Sequence, residues 1–194
     1  MFKLKLATDT SWVRNVVEKN ISEILTDHAW CEQKAASNAI SIVVRYPQYV
    51  DLVQEMIRLS QEELSHFQMV HDLIIRRGFQ LGREKKDHYV NLLYGFMRNG
   101  VAPAEYLVDR LLFAAMVEAR SCERFKVLSE NIDDLELASF YHDLMVSEAN
   151  HYTLFIGLAR KYASGMDVDA RWQEWLDYEG EIIRGFGKSE TVHG

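Results

Sequence analysis

Glutamate and histidine recur in this 194-residue sequence at a spacing that suits metal binding. Two Glu-x-x-His motifs occur, one from Glu63 to His66 and the other from Glu148 to His151. Residues three apart lie on the same face of a helix, so both side chains of each motif can point at one ion. One such motif arises readily by chance. The spacing of the two motifs relative to other glutamates is more informative.

A further glutamate precedes each motif at a matched distance. Glu32 lies 31 residues before Glu63, and Glu118 lies 30 residues before Glu148. Four carboxylates in a dry core would cost several kcal/mol each unless cations compensated them, and two divalent metal ions would match their charge. A glutamate from each of two helices plus Glu-x-x-His from each of the other two is a known di-metal ligand set. The sequence therefore predicts a di-metal site formed by Glu32, Glu63, His66, Glu118, Glu148 and His151.

The elements that must position these residues are helices. Apolar side chains repeat at three- and four-residue steps, which predicts four long helices at about 21–45, 49–77, 103–129 and 133–162. Pro47 ends the first helix and Pro103 begins the third. Shorter helical patterns cover 11–19, 88–98 and 169–186, the last as an outer amphipathic helix.

The links between the long helices are short, long and short. This order predicts an all-α fold, a ferritin-like four-helix bundle with one long crossover and additional short peripheral helices. The composition shifts nowhere along the chain, so we expect one domain over residues 1–194.

The composition narrows the class of protein. No apolar run approaches the roughly 18 to 20 residues of a membrane span, and no secretory signal is recognisable, so we expect a cytoplasmic protein without a membrane partner. Cys31 and Cys122 are too isolated for a disulfide framework, and we expect them to be buried apolar residues. The net charge of -7 argues against general affinity for nucleic acid but allows a local basic face.

Such a basic face is predicted in the long link. Five cations occur within 11 residues, namely Arg76, Arg77, Arg83, Lys85 and Lys86. Phe79, His88 and Tyr89 are interleaved with them. Cations can bind phosphates while an aromatic ring stacks on an unpaired base, so this segment is a candidate RNA contact. The alternative is that it is a solvated loop whose charges aid solubility.

Two other glutamates compete for the role of ligand. Glu123 follows Glu118 by five residues, and Glu62 precedes Glu63. Both fall on different parts of the helix surface from the ligand stripe, so we expect both to face solvent.

Four segments around the proposed ligands resemble the bacterial tRNA-(ms2io6A)-hydroxylase family, at residues 28–36, 60–67, 118–125 and 147–152. The likeness extends from about residue 5 to 185. It implies a non-haem di-iron monooxygenase with two iron ions and O2 as co-substrate, in which the six ligands are also the catalytic residues. Its substrate would be the isopentenyl group of 2-methylthio-N6-isopentenyladenosine beside the tRNA anticodon. Two electrons must come from a reductase or ferredoxin, because the sequence has no Cys cluster or nucleotide-binding fingerprint.

The same ligand set serves other activities, so alternatives stay open. A ferritin-like iron oxidation and storage protein would use the same centre within a cage. A manganese catalase could use the same oxygen-rich ligands. A metal-free helical interaction module would leave the core carboxylates unexplained.

Overall fold

The computed structural model describes residues 2–186, apart from the side chains of Val16 and Phe186. Over this range the chain is helical and contains no β-strand. A short π-helical segment at Val13–Val17 precedes six α-helices, which are α1 (Ile21–Arg45), α2 (Val50–Arg76), α3 (His88–Gly95), α4 (Pro103–Asn131), α5 (Leu135–Lys161) and α6 (Val168–Phe186).

The chain is organised as two compact units. The hairpin unit is Asn20–Lys86 and contains α1, α2 and the segment that follows α2. The larger unit combines the segment that ends at Lys19 with the chain from Asp87 onward, and it contains α3 to α6. The expectation of a single domain stays a prediction.

In the hairpin unit, α1 packs against α2 across a short connection. The predicted stripe of α2 is buried along its length, with Leu52, Met56, Leu59, Glu63, His66, Val70 and Leu73. Gly78 ends α2 with a φ of 74°, a left-handed conformation that favours glycine. The amide of Gly78 donates to Ile75 O at 2.9 Å and that of Phe79 to Ile74 O at 3.0 Å, which satisfies the last carbonyls of the helix.

In the larger unit, α4 packs against α5. Pro103 occupies the first turn of α4, where its missing amide hydrogen costs nothing. Asp134 caps α5 by accepting a hydrogen bond from the Leu137 amide at 3.1 Å. Asp87 caps α3 in the same way through the Val90 amide at 2.9 Å.

Two buried arginines fasten the outer segments of the larger unit to α4. Arg171 of α6 binds Asp109 of α4 through two parallel hydrogen bonds of 2.8 Å each. Arg120 of α4 donates from Nε to Glu179 Oε1 of α6 at 2.8 Å, and its Nη2 donates to the carbonyl of Leu6 at 3.0 Å. The bidentate contact of Arg171 with Asp109 fixes geometry as well as supplying energy.

Glu123 belongs to this buried network, so the expectation that it faces solvent was wrong. It accepts hydrogen bonds from the amide and the hydroxyl of Thr8, at 2.8 and 2.7 Å, and from Arg120 Nη1 at 2.9 Å. The error has a physical cause: the segment before Lys19 covers a side of α4 that the helical repeat alone leaves open. Glu62, by contrast, is exposed as expected.

Several other expectations are confirmed. The long helices match the predicted ranges within about two residues at each end, the usual scatter of helix boundaries. Cys31 and Cys122 are both buried, as expected. None of the helices in residues 2–186 combines the length and the apolar character that crossing a membrane requires.

The Arg120 network generates a stability prediction. Replacing Arg120 by Ala leaves Glu179 buried without its cation, so the free energy of unfolding should fall by about 3–5 kcal/mol. Urea denaturation followed by circular dichroism measures this change. Arg58→Ala is the control, because Arg58 is exposed and its pair with Glu55 lies on the surface.

The loss of stability in the Arg120→Ala variant should also depend on pH. Burial raises the pKa of Glu179, an effect that the charge of Arg120 opposes without cancelling it. A carboxyl with a raised folded-state pKa stabilises the fold below its ordinary pKa and loses that contribution as the pH rises through the folded value. Without Arg120 the pKa of Glu179 in the folded protein rises further. The loss in the free energy of unfolding should therefore be larger at about pH 8 than at about pH 5. An equal deficit at both values would contradict this account.

Candidate functional site

The first triad consists of Glu32 of α1 with Glu63 and His66 of α2. All three side chains are buried. His66 Nδ1 lies 3.5 Å from Glu32 Oε2 and 3.4 Å from Glu63 Oε2. The hairpin of α1 and α2 therefore brings one imidazole nitrogen and two carboxylate oxygens to a common point.

The charge around His66 favours a cation at this point. Burial lowers the pKa of His66, but hydrogen bonds and the negative charges of Glu32 and Glu63 outweigh it and raise the pKa to about 10. The two carboxylates thus favour positive charge at Nδ1, and either a proton or a divalent metal ion can supply it.

The second triad consists of Glu118 of α4 with Glu148 and His151 of α5. These side chains are also buried. His151 Nδ1 lies 4.0 Å from Glu118 Oε2 and 3.9 Å from Glu148 Oε1. In the tautomer with its proton on Nε2, His151 donates to Ser147 Oγ at 3.5 Å and presents the Nδ1 lone pair to the carboxylates.

Both triads fit a divalent metal by the chemistry of their donors. The atoms that lie together in each triad are carboxylate oxygens and an imidazole nitrogen. In the first triad they lie within 4.8 Å of one another. In the second, His151 Nδ1 lies within 4.0 Å of a carboxylate oxygen of each glutamate. Carboxylate oxygen suits hard divalent ions, and one imidazole suits iron or manganese. Each of the six predicted ligands thus lies in a buried cluster with the other two from its own pair of helices.

His28 is a functional candidate that the sequence prediction missed. It is fully buried on α1, and its Nε2 lies 2.7 Å from Glu32 Oε1. Histidine and carboxylate pairs of this kind orient a ligand that binds metal through its other oxygen. The available signal was position, since His28 precedes Glu32 by four residues and lies on the same helix face.

Cys122 of α4 lies close enough to Glu148 of the second triad for that carboxylate to affect the pKa of its thiol. Its Sγ donates to the Met145 carbonyl at 3.1 Å. Burial, together with the charges of Glu148 and Glu123, raises the pKa of Cys122 to about 12. The thiol therefore stays protonated at neutral pH and acts as a small core residue.

The predicted basic segment lies at the end of α2 and beyond it. Arg76, Arg83, Lys85 and Lys86 are exposed, whereas Arg77 is half-buried. Arg83 and Lys85 line one cleft of the hairpin unit. Of the interleaved aromatics, Tyr89 cannot stack on a base, because it is buried and its hydroxyl lies 3.3 Å from Glu179 Oε1.

The sequence matches the family model described as tRNA-(MS[2]IO[6]A)-hydroxylase (MiaE) over residues 2–194. The chain belongs to this hydroxylase family. A relative from Pseudomonas putida, named tRNA 2-(methylsulfanyl)-N(6)-isopentenyladenosine(37) hydroxylase, is 39% identical over 161 residues, which cover 83% of this chain and 77% of that protein. A protein of the same name from Salmonella typhimurium is 27% identical over 228 residues, and the match covers 93% of this chain and 83% of that protein.

A solved structure supports the fold assignment. It is "Protein 43 with aldehyde deformylating oxygenase activity from Synechococcus", with a TM-score of 0.89 and 31% identity over 98% of this chain and 95% of that one. The match confirms the all-α, ferritin-like fold class, which is a di-iron fold. The hydroxylase family is thus represented here by a chain with two buried clusters of carboxylate and imidazole.

The position of His28 generates a prediction about metal affinity. Replacing His28 by Ala removes the partner of Glu32 without removing a predicted ligand, so the affinity for ferrous ion should fall by about 10- to 100-fold. Competition against a chromophoric chelator measures this change. His142→Ala is the matched control, because His142 is an exposed histidine on α5. Equal affinity of both variants and the unchanged protein would assign His28 to packing alone.

Proposed function

We propose that this protein is a non-haem di-iron monooxygenase that hydroxylates the isopentenyl group of 2-methylthio-N6-isopentenyladenosine in tRNA. The observation that carries the proposal is the family match over residues 2–194 in a chain that buries two triads of two glutamates and one histidine. Because tRNA is the substrate of the proposed reaction, we place the protein in the cytoplasm.

The proposed iron ligands are the two triads taken together. Glu32, Glu63 and His66 supply one half of the set, and their α4 and α5 counterparts supply the other. The charge argument supports this assignment, since two divalent ions match four buried carboxylates. The matched spacing of the two halves in the sequence supports it independently. The proposed catalytic residues are the same six: Glu32, Glu63, His66, Glu118, Glu148 and His151.

Iron bound there would activate O2, so that one oxygen atom enters the substrate C–H bond while two external electrons and two protons convert the other to water. The chain's own residues hold and orient the ligands. His28 fixes Glu32 through its 2.7 Å contact, and Ser147 lies within hydrogen-bonding distance of the outer nitrogen of His151. Burial of the six side chains excludes bulk water from them, which protects a reactive oxidant from side reactions. The electron donor in this proposal is a reductase or ferredoxin.

The proposed tRNA contact is the basic segment formed by Arg76, Arg77, Arg83, Lys85 and Lys86. Exposure of four of these cations supports it. Lys85 pairs with Glu23 at 2.9 Å, and both side chains are exposed. Surface pairs of this kind are weak, so Lys85 can exchange its partner for a phosphate at little cost.

Iron storage and manganese catalase are the alternatives that the ligand set leaves open. The names of the Pseudomonas and Salmonella relatives favour tRNA hydroxylation over both. The aldehyde deformylating oxygenase activity of the Synechococcus protein belongs to that protein, and it illustrates how one fold serves several oxidations.

The reaction is tested by mass spectrometry of nucleosides. Iron-loaded protein with a reductant, O2 and tRNA that carries the isopentenylated nucleoside should add one oxygen atom to that nucleoside. Oxygen derived from 18O2 should appear in the product, as a monooxygenase requires. If the protein contains about two irons per chain and the isopentenylated nucleoside still gains no oxygen, that result would falsify the hydroxylase proposal.

The ligand assignment is tested in the same assay with matched variants. Glu63→Ala and His151→Ala should each lose bound iron and hydroxylation together, because each removes a buried ligand. Glu62→Ala and His142→Ala change the same residue types at exposed positions of the same helices and should keep both. Full iron content in Glu63→Ala would remove Glu63 from the ligand set.

The basic segment is tested by its salt dependence. The Arg83→Ala/Lys85→Ala/Lys86→Ala variant should bind tRNA more weakly, and the slope of log K against log salt should fall by about one for each lost phosphate contact. Arg58→Ala/Lys126→Ala removes exposed cations elsewhere and should leave the slope unchanged. An unchanged slope in the first variant would assign the segment to solubility.

A further inference from the structure

A cleft of about 190 Å³ lies in the hairpin unit, between the first half of α1 and the segment that follows α2. Its lining includes one aromatic ring (Trp30), the two cations Arg83 and Lys85, the two carboxylates Glu23 and Asp27, and the amide of Gln80. Lys85 pairs with Glu23 at 2.9 Å, a surface pair that a phosphate can replace at little cost. Pockets that enclose drug-sized ligands have volumes of about 300 Å³ or more. The cleft is smaller than these, so it suits a single ring system and not a whole cofactor.

Trp30 forms a fixed wall of this cleft. Its Nε1 donates to the carbonyl of Gly82 at 2.9 Å, and the Gly82 amide donates to Thr26 Oγ1 at 3.3 Å. A Cβ atom on residue 82 would come within 3.2 Å of Thr26 Cγ2, so glycine permits this close approach. An indole already held in position loses little conformational entropy when another ring stacks on it.

Two aromatic side chains of α2 extend the row of rings that begins at Trp30. The ring of Phe67 lies 6.1 Å from that of Trp30, and the ring of His71 stacks on Phe67 at 6.2 Å with an angle of 17°. All three side chains are half-buried, so part of each ring is accessible. A row of accessible rings beside cations is the combination that proteins use to bind unpaired nucleotides.

The polar lining matches the remaining parts of a nucleotide. Arg83 and Lys85 are exposed cations that can contact a phosphate. The carboxylate of Asp27 can accept from an exocyclic amine, and the amide of Gln80 can donate or accept at a base edge. The cleft therefore offers a suitable group for each part of a nucleotide: the base ring, the base edge and the phosphate.

We infer that this cleft binds one unpaired nucleotide of the substrate RNA, with its base on Trp30 and its phosphate at Arg83 and Lys85. The inference rests on the proposed function and specifies where the tRNA is held. Trp30 and Glu32 are two residues apart, so they lie on different sides of α1. The bound base is therefore not the one that reacts, and Trp30 is a positioning residue.

The first test uses the fluorescence of Trp30. Of the four tryptophans, all within residues 2–186, Trp12, Trp172 and Trp175 are buried and Trp30 is half-exposed. An RNA stem-loop with the sequence of the anticodon arm should quench the emission of the iron-loaded protein, because stacking quenches indole. The Trp30→Phe variant should lose this quenching. A fully paired RNA duplex of equal length should not quench either protein.

The second test measures affinity by fluorescence anisotropy of a labelled stem-loop. Trp30→Ala should weaken binding by about 5- to 150-fold, the range expected for one lost stacking contact, whereas Trp30→Phe keeps an aromatic ring and should recover most of it. Arg58→Ala, an exposed change outside the cleft, should bind as the unchanged protein does. Iron content checks that each variant is folded.

Two results would overturn the inference: quenching that persists in Trp30→Phe, or equal stem-loop affinity in Trp30→Ala and the unchanged protein. Either result leaves the hydroxylase proposal intact if tRNA is still hydroxylated. Conversely, Trp30-dependent quenching without any hydroxylation would contradict the proposed reaction and retain the RNA site. Failure of the stem-loop and of tRNA to bind at all would contradict both.

Discussion

The burial of ionisable side chains is the constraint on which this structure depends. A carboxylate removed from water is tolerated only when hydrogen bonds and positive charge compensate the lost hydration. The chain uses two kinds of compensation. Asp109 and Glu179 contact guanidinium groups from another helix, which are permanently charged. Glu63 and Glu148 contact imidazoles, which are weaker bases and good metal ligands. The clusters with arginine partners therefore stabilise the fold, and the clusters with histidine partners are the ones that can do chemistry.

Helix α4 carries both kinds of cluster within two turns. Glu118 belongs to the second triad, while Arg120 and Glu123 belong to the network that fastens α6 and the segment around Thr8. A ligand on a helix that is anchored on several sides keeps its position more accurately than a ligand on a loop. The buried arginines thus contribute to the site indirectly, by limiting the movement of the helix that presents Glu118.

The sequence was sufficient for the features that depend on local periodicity. The six proposed ligands come from the repeated spacing of glutamate and Glu-x-x-His, and the structure buries all six. The helix ranges follow from apolar repeats, prolines and caps. Each of these signals lies within one helix or its ends, where position in the chain determines position in space. The family resemblance adds the substrate, which no spacing of residues specifies.

Features that depend on contacts between distant segments could not be predicted. The helical repeat predicts that Glu123 faces solvent, because nothing in its helix indicates that Thr8, 115 residues earlier, covers it. Tyr89 was grouped with surface aromatics, although its hydroxyl contacts Glu179. His28 was detectable by its position, but a histidine one turn before a ligand is uninformative until its contact with Glu32 is seen. Tertiary contacts decide burial, and burial decides which polar residues can act.

We propose that Glu32, Glu63, His66, Glu118, Glu148 and His151 together bind two iron ions. Mössbauer spectroscopy of protein loaded with 57Fe and then exposed to O2 tests it most directly. We expect two irons per chain whose spins couple antiferromagnetically, giving a quadrupole doublet without magnetic splitting at low temperature in a weak field. A spectrum of isolated high-spin ferric ions, with magnetic splitting, would rule out one coupled centre and would mean that the triads bind iron separately.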